Sequence, residues 1–338
     1  MDLRAGADSC YKCSTCDTVC PVAAVDDEFP GPKFQGPEQW RLKRKDDRDV
    51  DESITSCSNC MRCDGACPSS VPLSQMHNAA RGEYVDERMD HRSREYLRNR
   101  LLANYGTMAR LASRVPRLAN AVTGLSAVRW LGERVLGITA EREFPDFAEE
   151  TLREWWKRRG GPAVESDEKR VAYFHGCYAN HNTPAVGRAL VRVFESFGYQ
   201  VALPKQRCSG TPMFANGMLD DARRAARFNV ETLGSLVEEG YDVVCSCTSC
   251  SMALRKEYPE LFDFPGVEAV AASTSEAVEY LRIHEDLRDA LADAEVDLPD
   301  LAYHAPCHAR NQGLDRQAVD LFSDLDGVDV VDLGPSCS

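Results

Sequence analysis

The sequence predicts an α+β multidomain protein: a helical N-terminal domain built around metal, an α/β domain rich in cysteine, and a partial second copy of that domain. Three observations predict it. One cysteine pattern occurs twice within the first 70 residues, with few alternating strand patterns beside it. From Lys169 the texture becomes strand–helix alternation, which argues α/β with a mostly parallel sheet. The stretch ending at Cys177 then recurs 130 residues later, ending at Cys307.

Composition bounds what such a chain can be. Its 338 residues suffice for two or three domains, at roughly 100–200 residues each. Met1-Asp2-Leu3-Arg4 leads into no apolar signal segment, so a reducing, cytosolic setting is expected, where fifteen cysteines mean metal rather than disulfides. The net charge of −14 argues against nucleic acid as a partner. Of the 40 basic residues 32 are Arg and 8 are Lys, and Asp outnumbers Glu. An Asp-rich, Lys-poor surface of this halophile-like kind bears on solubility in high salt and not on activity.

Residues 1–95 are the expected cluster domain. Cys10-x2-Cys13-x2-Cys16-x3-Cys20-Pro21 is repeated residue for residue by Cys57-x2-Cys60-x2-Cys63-x3-Cys67-Pro68. This is the bacterial ferredoxin run, in which three close thiolates hold one 4Fe–4S cube and the fourth ligates the other. One cluster is therefore expected on Cys10, Cys13, Cys16 and Cys67, and a second on Cys57, Cys60, Cys63 and Cys20. Zinc also takes Cys-x2-Cys, but its sites seldom use four cysteines in one run or need the trailing proline. The 36 residues between the runs hold a Pro/Gly-rich loop and then the charged stretch Gln39–Asp51, where Lys43–Asp51 reads as a solvated helix face. Few alternating strands are available, so a helical ferredoxin is expected.

Residues 96–160 form a basic amphipathic segment and a linker. From Tyr96 to Gly132 there is no acidic residue, although the chain carries 54. Arg98, Arg100, Arg110, Arg114, Arg117 and Arg129 lie in this stretch. Leu97, Leu101, Tyr105, Met108, Ala112 and Val115 recur at helical spacing as one apolar stripe, broken at Pro116. Leu118, Val122 and Leu125, then Val128, Leu131 and Val135, predict two further short helices, with Trp130 beside them. The longest uncharged run in this region is Leu118–Val128, eleven residues, too short to span a bilayer. A basic hairpin with an interfacial tryptophan fits an in-plane membrane anchor; the alternative is an Arg-rich face docked on an acidic partner or on the chain's own second domain. A short helix is expected over Phe147–Trp156, then a linker at Arg158–Pro162.

Residues 162–295 are the expected Cys-rich α/β domain. Strands are predicted at Val171–Phe174, Gln200–Leu203 and Asp242–Val244, and helices at Pro184–Phe197, Asp220–Glu239 and Cys250–Tyr258. Open α/β sheets bind ligands outside the carboxyl ends of their strands, which would converge Cys177, Cys208, Cys247 and Cys250. An iron–sulfur cluster, zinc and no metal at all remain open for these four. Cys245, at the strand end itself, reads as buried packing. Residues 296–338 begin the second copy: Ala302-Tyr303-His304-Ala305-Pro306-Cys307 matches Ala172–Cys177, and Cys337-Ser338 matches Cys208-Ser209. Counterparts of Cys247 and Cys250 would fall about 40 residues past Ser338, so a truncated form of a longer protein is expected. Cys307 and Cys337 are therefore weaker metal candidates. His175, His304 and His308 flank the strand-end cysteines; such histidines mostly satisfy local hydrogen bonds, with a quinone or proton-coupling role as the alternative.

These residues carry a resemblance. Two ferredoxin runs followed by Cys…Cys-x-Gly…Cys-x2-Cys and a second copy are similar to the iron–sulfur subunits with "Cys-Cys-Gly" domains. That group includes heterodisulfide reductase, glycolate oxidase and anaerobic glycerol-3-phosphate dehydrogenase. Gly176–Pro184, Ala215-Asn216-Gly217, Leu254–Pro259, Tyr303–His308 and Val128–Leu131 look most like the last. The resemblance implies an electron-transfer subunit with no catalytic substrate site of its own. Its donors would be flavoprotein dehydrogenase subunits oxidising glycerol 3-phosphate, and its acceptor membrane quinone. It would sit peripherally on the cytoplasmic side of the cell membrane. Glycolate or lactate oxidation, or a heterodisulfide reductase-like complex, are the alternatives; a zinc-holding scaffold is the non-enzymatic rival. The family's double cysteine is Cys208-Ser209 here, so four thiolates rather than five are available, enough for an ordinary further cluster. No G-x-G-x-x-G follows a strand, so a flavin would belong to other subunits.

Overall fold

The computed structural model describes residues 4–292, 298–323, 325 and 327–334. Among the described residues up to 95 there is no strand. Helices Arg4–Asp8, Thr15–Thr18, Gln39–Asp46, Arg62–Ala66 and Leu73–Glu87 surround a small core of Ala7, Cys16, Cys63, Val71, Leu73 and Met76. Only part of the charged run is helical. The helix stops at Asp46 and Asp47 turns left-handed at φ 48°, because Lys43, Arg44 and Lys45 suit a helix C-terminus and the aspartates after them do not.

The acid-free segment and its flanks form four short helices, Arg94–Ala103, Tyr105–Ala112, Pro116–Gly124 and Ser126–Leu136. The expected single helix through Leu97 and Val115 is interrupted at Asn104, whose side-chain amide donates to Arg100 O at 2.9 Å and closes the first helix. Pro116 opens the third helix at its first position, where its missing N–H costs nothing. The helix expected over Phe147–Trp156 is instead Leu152–Arg159, started by a capping box of Thr151 and Glu154. Residues before it are held otherwise: Phe147 N–H donates to Asn120 Oδ1 and Ala148 N–H to His181 O, both at 2.8 Å. Among the described residues no helix is long and apolar enough to cross a membrane.

Four parallel strands, β1 (Arg170–Phe174), β2 (Gln200–Ala202), β3 (Asp242–Cys245) and β4 (Thr274–Glu276), are ordered β2-β1-β3-β4. Thr274-Ser275-Glu276 lacks the apolar pattern of a strand; pairing with β3 makes it one. Alternation then divides the core. Ala172, Phe174, Val243 and Cys245 face helix Leu219–Glu238, while Val171, Tyr173, Val201 and Val244 face Leu152, Trp155, Phe194 and Tyr280. The helix expected over Cys250–Tyr258 starts at Thr248 and widens to a π turn at Ala253–Glu257, just before Pro259, which has no N–H to give an α turn. Beyond residue 298, β5 (Leu301–Tyr303) pairs in parallel with β6 (Val330–Asp332), with helices Cys307–Asn311 and Gln317–Phe322 between them. Cys337 lies outside the described residues.

Candidate metal centres

Each cysteine run wraps its cavity with the same backbone device. The residues on both sides of the central cysteine are left-handed: Lys12 (φ 60°) and Ser14 (64°) around Cys13, Asn59 (54°) and Met61 (60°) around Cys60. Such turns are unusual for non-glycine residues and point to a constrained loop. The aspartate after the third cysteine anchors each loop. Asp17 Oδ1 accepts from Lys33 N–H at 2.9 Å, and Asp64 Oδ1 from Ser74 N–H at 2.8 Å.

The structure brings the eight cysteines together in two sets. Cys10, Cys13, Cys16 and Cys67 line one cavity; Cys20, Cys57, Cys60 and Cys63 line another. The exchanged cysteines are matched as well: Ala23 N–H donates to Cys20 Sγ at 3.5 Å and Val71 N–H to Cys67 Sγ at 3.4 Å. Burial pushes the Cys16 thiol up to about 12 and raises Cys20 and Cys63 too. Thiolates buried this way need a cationic partner, which iron supplies. Cys57 is the exception. Burial would raise it, but His77 Nδ1 lies 3.7 Å from its sulfur, and with Arg81 nearby Cys57 is held at about 6. His77 is itself oriented by Pro32 O, 3.0 Å from Nε2.

The second group sits where the sheet ends. Cys177 follows β1, Cys208 follows β2 after a short loop, and Cys247 and Cys250 follow β3. Cys177 Sγ and Cys208 Sγ are 3.7 Å apart, and a β-carbon at Gly176 (φ +67°) would stand 2.9 Å from Cys250 Sγ. The hydrogen bond between Cys247 and Cys250 brings Cys247 down to about 6 and raises Cys250. Among the described residues no three His, Cys, Asp or Glu side chains form a ready single-ion site. Cys245 is fully buried within β3 against the core. Ser209 is buried too, its carbonyl held by the Tyr258 hydroxyl at 2.8 Å.

Several supporting residues escaped sequence reasoning. Gly106 brings helix Tyr105–Ala112 down onto the cysteines: a β-carbon there would lie 3.3 Å from Cys208 Cβ and 3.6 Å from Cys177 Cβ. The only sequence signal was a glycine inside a helical stripe. Gln206 accepts from Gly176 N–H at 2.9 Å, and Asn229 accepts from Arg207 N–H at 2.8 Å while donating to Cys208 O at 3.2 Å. A cleft of about 1200 Å³ opens beside Cys177 and Cys208, with Arg110, Arg114, Lys205 and Arg207 among its walls. His175 is buried, its Nδ1 donating to Gly176 O at 2.5 Å; burial lowers it to about 3. His304 is exposed, and His308 lies between the two cysteine-bearing parts of the chain. Cys307 heads helix Cys307–Asn311.

Comparison with known proteins agrees with this arrangement. Residues 6–71 match the family described as a 4Fe-4S dicluster domain, and residues 171–255 match one described as a cysteine-rich domain. Lactate utilization protein A of an Exiguobacterium species is 32% identical over 171 residues, 48% of this chain and 67% of that protein. A subunit, designated B, of the fumarate reductase (CoM/CoB) of Methanothermobacter marburgensis is 31% identical over 169 residues, 48% of this chain and 31% of its own. No solved structure matches. A subunit, designated C, of the anaerobic glycerol-3-phosphate dehydrogenase of Escherichia coli K12 is 32% identical over 332 residues, 98% of this chain and 82% of the relative. With likeness on that scale, running through both cysteine-bearing regions, the chain belongs to the family of that anaerobic glycerol-3-phosphate dehydrogenase subunit.

Proposed function

We propose that this chain is the iron–sulfur electron-transfer subunit of a glycerol-3-phosphate:quinone oxidoreductase. It takes electrons from a flavoprotein partner and delivers them to quinone at the cytoplasmic face of the membrane in anaerobic respiration. The observation that carries this reading is the near full-length likeness to a glycerol-3-phosphate dehydrogenase subunit, joined to cysteines gathered in three separate places. Cys10, Cys13, Cys16 and Cys67 would hold one 4Fe–4S cluster and Cys57, Cys60, Cys63 and Cys20 the other. Cys177, Cys208, Cys247 and Cys250 would hold a further cluster, which fits two buried and two half-buried thiols with unequal acidities. Iron–sulfur clusters supply one-electron transfer at potentials set by burial and by hydrogen bonds to sulfur. The chain's own residues do that tuning: the amides of Ala23 and Val71 donate to sulfur, and helix Tyr105–Ala112 packs closely on Cys177 and Cys208.

The four-part division at 1–95, 96–160, 162–295 and 296–338 belongs to the same proposal. In its favour, strand, two helices and parallel strand occur in the same order after Leu301 as after Arg170. The membrane reading is supported by Leu111, Val115, Leu118, Val122, Leu125, Trp130, Leu131 and Val135, all exposed along these helices and the turns between them. The half-chain likeness to a lactate utilization protein keeps lactate as the rival donor. The test is anaerobic purification with whatever flavoprotein accompanies the chain, followed by quinone reduction with each donor. Glycerol 3-phosphate should drive it. Lactate or glycolate as the sole working donor, or heterodisulfide turnover by this chain, would refute the assignment.

A further inference from the structure

Helix Cys307–Asn311 packs against both helix Arg62–Ala66 of the second cysteine run and helix Thr248–Met252 of the Cys-rich sheet. One side chain on it touches the two cysteine loops at once. His308 Nε2 is 3.1 Å from Asn59 O, and His308 Nδ1 is 2.8 Å from Ser249 Oγ. A carbonyl only accepts, so Nε2 carries the proton; Nδ1 is then bare and accepts from the Ser249 hydroxyl. Asn59 lies between Cys57 and Cys60, and Ser249 between Cys247 and Cys250. A single neutral imidazole therefore spans the two loops. Neighbouring bonds tie the same helix to the two loops without touching the ring. Asn311 Nδ2 donates to Met61 O at 3.0 Å, and Gln312 Nε2 to Thr248 O at 2.9 Å.

We propose that His308 is a positioning residue for electron transfer, a hydrogen-bonded bridge that couples the Cys57–Cys60 loop to the Cys247–Cys250 loop. This rests on the electron-relay reading above, including an iron–sulfur centre on Cys177, Cys208, Cys247 and Cys250. Electronic coupling through a chain of bonds and short hydrogen bonds far exceeds coupling across a gap of the same length, and this ring closes the gap between the loops. The balance is one electron out of the N-terminal centre, which is oxidised by one, and one electron into the Cys-rich centre, which is reduced by one. Reduced flavin on the partner is the electron source. His308 keeps its proton throughout, because both ring nitrogens are already committed.

The experiment uses the full chain loaded with iron anaerobically, in wild-type form and as His308→Leu, His308→Gln, Ser249→Ala and Asn311→Ala. Electron redistribution after rapid reduction is followed by freeze-quench electron paramagnetic resonance. Midpoint potentials, and hydrogen exchange of the amides at 57–63 and 247–250, are read on the same samples. His308→Leu and Ser249→Ala should each slow redistribution at least about tenfold, equivalent to ~1.4 kcal/mol of barrier, with the potentials unmoved. His308→Gln should recover most of the rate, since an amide can donate at one end and accept at the other. Asn311→Ala, which loosens the same helix but leaves the ring, should keep the wild-type rate. Wild-type speed in His308→Leu overturns the bridge, as does equal slowing in Asn311→Ala with raised exchange at both loops, which means a structural staple. Iron analysis that finds only the two N-terminal clusters overturns the relay reading and the bridge together. Three clusters with an unaffected rate overturn the bridge alone.

Discussion

At the scale of single residues, the exchange of Cys20 and Cys67 between the runs is the most exposed to test. Cys20 lies in the cavity of Cys57, Cys60 and Cys63, far along the chain from them. Cys20→Ser should therefore weaken the cluster on the second run and spare the one on Cys10, Cys13 and Cys16, as Mössbauer or paramagnetic resonance spectra would reveal. Loss of the neighbouring cluster instead would reverse the ligand assignment. Gly106 offers a second test, because its missing side chain is what lets a helix lie on Cys177 and Cys208. Gly106→Val should cost about 1–3 kcal/mol by overpacking and make Cys177 alkylate faster in the iron-free protein. Unchanged alkylation would mean that this helix does not cover the site.

Elements behave differently from the residues that make them up. The acid-free segment and its flanks are four short helices, and their arginines do not all act alike. Arg117 pairs with Glu149 at 2.8 Å and Arg98 with Glu95 at 3.5 Å, while Arg110 and Arg114 stand exposed beside the cleft. Reversing Arg110 and Arg114 to glutamate should release the chain from anionic vesicles in low salt with both N-terminal clusters intact. Salt should have the same effect, since it screens the attraction beyond roughly 10 Å at 0.1 M. Sedimentation with vesicles unaffected by either change would favour docking on a protein partner.

For the whole molecule, the interface between the N-terminal helices and the Cys-rich sheet is polar where it is deepest. Arg81, almost fully buried on helix Leu73–Glu87, donates to Ile54 O at 3.2 Å, to Phe214 O at 3.4 Å and to Cys57 O. Gly82 lets the same helix approach Leu219, where a β-carbon would come within 2.4 Å of Cδ1. Glu257 is fully buried nearby; the amides of Asn59 and Asn78 flank it, yet its oxygens make no well-formed hydrogen bond. Burial raises its carboxyl to about 8. The folded protein therefore keeps a proton that the unfolded chain has lost above its ordinary carboxyl pKa. Stability should fall as pH rises from that value toward about 8 and level off above it. Glu257→Gln should flatten this slope, with a difference on the order of 3 kcal/mol between pH 5 and pH 8. Parallel thermal melts of the two proteins across that range would detect it; equal slopes would mean that the carboxylate is solvated or paired.

Much of this was legible in the chain. The two cysteine runs have the spacing and trailing proline of a ferredoxin run, so the grouping of the eight N-terminal cysteines into the two sets that line the two cavities could be read before any fold was known. The apolar strand patterns around Val171 and Val243 placed Cys177, Cys208, Cys247 and Cys250 at one end of a parallel sheet, because the loops that leave the carboxyl ends of its strands all open on the same edge. Other features depend on contacts between segments far apart in sequence. Thr274-Ser275-Glu276 is a strand only because β3 lies beside it, and Asn104 ends a helix that its apolar stripe would have continued. Gly106 matters because of two cysteines more than 70 positions away. His308 joins loops that neither spacing nor periodicity relates. Covalent spacing and local periodicity act within a few residues and are written in the sequence. Hydrogen bonds and close packing across the interface form only once the chain has folded, so the tertiary structure alone decided which cysteine loops meet and which side chain joins them.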